Sequence, residues 1–156
     1  MPYILALLIA GATPGPQPAA AQTLAAASAT HVWAPACREC HAAIYAAWEK
    51  TKHANALERL SAAEREKECV RCHVTGDAEL RIDGRLANAG VQCESCHGAG
   101  RAHVEAARAG RAADAPMKTA GEPVCLRCHN DRSPHFKGFY FKMMAPLVHK
   151  VVALGQ

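Results

Sequence analysis

The chain has 156 residues, half of them hydrophobic but only 5% aromatic, and its 18 basic side chains outnumber 14 acidic ones for a formal charge of +4. That length allows one small domain, and the scarcity of large rings excludes a conventional core of any size. No basic cluster with interleaved aromatics occurs, which excludes a nucleic-acid interface of the usual kind.

In chain order, residues 2 to 11 are an apolar run too short to span a bilayer, followed by a Pro/Ala stretch ending at Ala21. This reads as a signal peptide over 1–21, although it lacks a basic start, and leaves a single exported domain over 22–156 with no membrane span. Residues 41–60 are rich in helix formers and predict one helix. Ser61-Ala-Ala-Glu64 has the pattern of a capping box. Between Thr75 and Gly90 the turn signals predict a hairpin-like loop. Residues 102–109 predict a helix stopped by Gly110, residues 113–123 a linker, and residues 139–152 a terminal helix broken before Pro146. The expected fold is therefore mainly α with long loops.

All eight cysteines lie in four Cys-x-x-Cys-His units: Cys37–Cys40–His41, Cys69–Cys72–His73, Cys93–Cys96–His97 and Cys125–Cys128–His129. Cys-x-x-Cys alone also builds zinc sites and thioredoxin-like redox centres. The following histidine discriminates: with 9 histidines in 156 residues, four chance occurrences at that position have a probability of about one in a hundred thousand. Eight thiolates would also close two zinc sites and leave the histidines over. The pattern is the attachment signature of c-type haem, in which the thiols become thioethers and the histidine ligates the iron. Four haems in so short a chain must themselves form the core, with the protein wrapped around them. Each ferric haem with both propionates ionised carries about one negative charge, so the holoprotein is near neutral.

His31, His53, His103, His135 and His149 remain as five candidates for four sixth positions. On one helix, His41 and His53 would stand about 18 Å apart along the axis, whereas trans imidazole nitrogens on one iron are about 4 Å apart, so His53 must serve another haem. Six residues barely round a porphyrin edge, which weighs against pairing His97 with His103 or His129 with His135. His149 lies far enough from His129 to return to the same iron. Met117, Met143 and Met144 are weaker rivals whose default role is packing.

Three stretches carry a resemblance: Cys-x-x-Cys-His-x-x-x-Tyr-x-x-Trp-x-x-Thr-x-His-Ala-x-Ala at 37–56, Gly-Val-Gln-Cys-Glu-Ser-Cys-His-Gly-Ala-Gly-Arg at 90–101, and Ser-Pro at 133–134. Over roughly residues 30–150 the chain resembles the cytochrome c-554 family, tetrahaem periplasmic carriers that take electrons from hydroxylamine oxidoreductase in ammonia oxidisers. The resemblance implies His103 on the iron of His41, His53 on that of His97, His149 on that of His129, and an open iron at His73. The segment before Cys69 and the tail after His129 look shorter than in the ammonia-oxidiser protein, and His135 follows Ser-Pro where no ligand is expected. His135 or His31 is left as an additional axial candidate.

The expected function is electron transfer between respiratory redox proteins, in the periplasm or outside the cell, with no catalytic residue assigned. One alternative is an enzyme acting on nitric oxide, nitrite or hydroxylamine at the His73 haem, with Asp77 and Glu79 nearby. Another is a subunit of a larger cytochrome complex or extracellular haem filament.

Overall fold

The computed structural model describes residues 30–65, 68–76, 81–82 and 85–148. The expected signal peptide, Asp77, Glu79 and His149 lie outside the described residues. The chain runs through short helices and long loops, as expected: α1 (Trp33–Arg38), α2 (Ala42–Glu49), α3 (Ala62–Arg65), α4 (Cys93–His97), α5 (Arg101–Arg108), α6 (Glu122–Leu126) and α7 (Phe141–Met144). Single 3-10 turns cover Leu57–Arg59, Glu68–Cys72, Ala112–Asp114 and Ala145–Leu147. Among the described residues no helix is long and apolar enough to cross a membrane.

Several local expectations hold. Glu64 reaches back to the Ser61 amide at 2.8 Å and also accepts the Ser61 hydroxyl, which starts α3. The loop after the second unit is a hairpin, with β1 (Arg81–Ile82) antiparallel to β2 (Arg85–Leu86) and a bridge from Val74 to Ala89. Helix α5 ends at Arg108, two residues before the left-handed Gly110. Within the described residues the terminal helix breaks before Pro146, as expected: α7 tightens into the 3-10 turn that contains Pro146, whose ring cannot continue an α-helical ladder.

The helix expected over 41–60 stops after Glu49. Tertiary contacts claim the backbone beyond it. The His53 carbonyl accepts the Val91 amide at 2.8 Å, and Trp48 donates its indole N–H to the Val91 carbonyl at 2.9 Å. Between them Gly90, at φ +77°, sits so close that an added Cβ would lie 2.2 Å from the Ala54 carbonyl oxygen. Only glycine fits such an approach.

The buried hydrophobic residues among those described are Ala34, Trp48, Ala56, Leu57 and Val74. Beside them is a polar core of Thr75, Asn88, Gln92 and Glu94. Thr75 donates its hydroxyl to the Gly90 carbonyl and accepts from the Gln92 amide and the Ser95 hydroxyl. Gln92 accepts the Ala34 amide and donates to the Ala87 and Ala89 carbonyls. This network ties α1, the hairpin loop and α4 together. Thr75→Val strands the Gln92 amide in a buried site, so we expect a loss of about 2–4 kcal/mol in denaturant unfolding of the holoprotein.

Candidate haem-binding site

The first, third and fourth units are wound so that their three functional side chains share one side. In the first and fourth units, the histidine amide bonds back to the carbonyl of the first cysteine, His41 to Cys37 and His129 to Cys125, both at 2.9 Å. The third unit is helix α4 itself, and the second lies on the 3-10 turn ending at Cys72. Helical winding places residues i, i+3 and i+4 together, which is what two thioethers and one axial imidazole on a single macrocycle require.

Three imidazoles are held in the tautomer that a metal ligand needs. His73 Nδ1 lies 2.7 Å from the Ala56 carbonyl oxygen, His97 Nδ1 2.8 Å from that of Lys118, and His103 Nδ1 2.9 Å from that of Ala115. A carbonyl only accepts, so each Nδ1 carries the proton and leaves the Nε2 lone pair for iron. The stretch 113–123, expected only as a linker, supplies two of these three carbonyls.

The histidine rings also pair across the molecule. His41 and His103 stand with centroids 6.4 Å apart and planes 16° from parallel. His53 and His129 stand 6.0 Å apart with planes at 68°. Two trans imidazoles on one iron, with nitrogens about 4 Å apart and each centroid about 1 Å further out, should show centroids about 6 Å apart. Both pairs meet that spacing. Burial, and for His53 also the neighbouring His129, pushes both imidazoles of the second pair below the usual histidine range, toward the neutral ligand form.

The structure thus brings His103 beside His41, and His53 beside His129 and not beside His97. His129 is further backed by Phe139, stacked at 4.8 Å. No imidazole among the described residues faces His73. His31 stacks on Trp33 at 5.2 Å, and His135 lies exposed on a turn. Met143 and Met144 are both exposed, Met143 at 73%.

The family model for cytochrome c554 and c-prime matches residues 36–98. Cytochrome c-554 of Nitrosomonas europaea is 34% identical over an 86-position alignment that covers 42% of this chain and 37% of the relative. Over residues 36–98 the chain is thus similar to the cytochrome c-554 family. It therefore spans little more than a third of the curated relative it matches. No solved structure matches it. The likeness is to proteins that carry covalently bound c-type haem, and the cysteines and imidazole tautomers of this chain fit that group.

The matched segment contains most of the contacts that position His53 and His73. Gly90 and Val91 from the third unit's motif lock against His53 and Ala54 from the first, and Ala56 holds the His73 ring. The thiols show a further order. The neighbouring Cys93 pushes the Cys37 thiol well up, and Cys37 in turn brings Cys93 down to about 7. Burial, then contact with Cys72, raises Cys128 to about 12. Burial, then the neighbouring Cys125, raises Cys96. Attachment points of units one and three, three and four, and four and two are therefore neighbours.

Proposed function

We propose that this cytochrome is an extracytoplasmic electron carrier with four c-type haems and no bond-making chemistry of its own. The observation that carries this reading is the pair of facing imidazoles at 6.4 and 6.0 Å, which lets the protein close two irons to exogenous ligands and hold them at low potential. By exclusion, His149 is the candidate for the iron of His97, because His103 and His53 face other irons. His73 is the candidate for a five-coordinate haem. The neighbouring thiols support an electron route through units one, three, four and two in that order. Soluble redox proteins are the proposed partners, and export is the proposed location because thioether attachment of haem takes place outside the bacterial cytoplasm.

Mass spectrometry of the mature protein should find four covalent haem additions, and any smaller number defeats the proposal. Low-temperature electron paramagnetic resonance of the oxidised protein should show one high-spin ferric haem beside three low-spin ones. A wholly low-spin spectrum would remove the open site at His73. The same open site supports a second reading, a redox enzyme for nitric oxide, nitrite or hydroxylamine. Steady-state turnover of any of these would favour that reading, and their failure to perturb the high-spin signal would end it.

A further inference from the structure

Glu94 is the buried carboxylate of the described residues, 4% exposed at the centre of the third unit. Its Oε1 accepts from the Gly100 amide at 2.7 Å and the Val32 amide at 3.1 Å. Its Oε2 accepts from the Trp33 amide at 2.8 Å and the Val32 amide at 3.2 Å. The salt bridges among the described residues do not include it. Backbone amides satisfy the carboxylate lone pairs but bring no counter-charge, so no ion pair among the described residues offsets this buried carboxylate. It also holds Trp33 at φ +64°, a left-handed conformation unfavourable for a residue with a side chain.

The placement of this charge is specific. Glu94 directly follows Cys93, and the Trp33 residue whose amide it binds takes the Cys37 thiol on its carbonyl at 3.7 Å. The Cys37 and Cys93 thiols touch, and Glu94 acts electrostatically on both. Arg127 acts on Cys128 of unit four and also on Cys96 of unit three, where its guanidinium donates to the Ser95 carbonyl, so Glu94 is the charge peculiar to the first and third attachment points. A fixed anion stabilises the more positive ferric state of a nearby haem, and low polarisability around it strengthens the effect.

We propose that Glu94 lowers the potentials of the two haems attached at units one and three. This rests on the tetrahaem reading above, and the two can fail separately: mass spectrometry tests the haem count, whereas redox titration of haem-complete protein tests Glu94.

Glu94→Gln removes the charge with little change of shape. Spectroelectrochemical titration should show two of the four components moving to higher potential, each by about tenfold in the ferrous-to-ferric ratio at fixed ambient potential, which is about 59 mV for one electron, while the other two stay within about twofold. Gly100→Ala is the complementary variant. Its Cβ would stand 3.1 Å from Glu94 Oε1, weakening one amide bond while keeping the charge, so the same two components should move down. If Glu94→Gln does not mature with four haems, Gly100→Ala decides alone. A uniform shift of all four components overturns the proposal, as does movement of the other pair. Unchanged potentials with a lowered unfolding midpoint overturn it too, since a purely structural Glu94 would behave that way.

Discussion

His103→Ala should convert one low-spin haem to high spin, moving about a quarter of the iron between the two classes, with a rise in that haem's potential. His53→Ala should do the same to a different haem, and the two lost signals should be distinguishable. The planes of His41 and His103 lie 16° apart, and parallel ligand planes split the two π-type iron orbitals, giving an ordinary rhombic spectrum. The planes of His53 and His129 lie 68° apart, which leaves those orbitals nearly degenerate and gives a strongly anisotropic signal at low field. Loss of the rhombic signal in His103→Ala and of the anisotropic one in His53→Ala is the expected result. Loss of the same signal in both variants would mean that the two histidines serve one iron, against the facing pairs.

The haem-free chain should be largely unfolded. A variant with all eight cysteines replaced by alanine should show no cooperative thermal transition by circular dichroism. Two of the five buried hydrophobic residues among those described are alanines, and Leu57, Val74 and Trp48 supply most of the rest. Ordering the backbone alone costs about 1–2 kcal/mol per residue, which so small an apolar core cannot offset. Large apolar side chains, among them Tyr140 at 66% and Leu147 at 59%, stay exposed to solvent. A sharp transition with native helix content in the alanine variant would show that the polar core around Thr75 and Gln92 stabilises far more than hydrogen bonds of its kind usually do.

The parts of this fold that could be read from sequence are those whose physics is local. The Cys-x-x-Cys-His spacing is a helical turn, Ser61 and Glu64 make the expected cap contact, and Gly110 stops α5. Helix propensity failed past Glu49, because Gly90 and Val91, distant in sequence, take over the backbone of His53 and Ala54. The partner of His53 was illegible for the same reason: no spacing rule connects it to His129, and the ring pairing emerges only when the chain has folded. The carbonyls of Ala115 and Lys118 that orient His103 and His97 were hidden too, since backbone acceptors leave no mark in a residue pattern. Gly90 did carry a readable sign, because a glycine before Val-Gln-Cys suggests a close backbone approach.

The exchange of histidines between units has a consequence for how the protein is made. If the chain is exported from its amino end, as proposed above, unit one emerges first, yet the ring facing His41 is His103, which follows unit three. A macrocycle attached at unit one would then wait, with one face open, until three of the four units have emerged. His53 waits longer still, for a ring in the last unit. Such long-range closure is slow. The repeats are therefore not interchangeable beads: deleting the last unit leaves His53 without its facing ring.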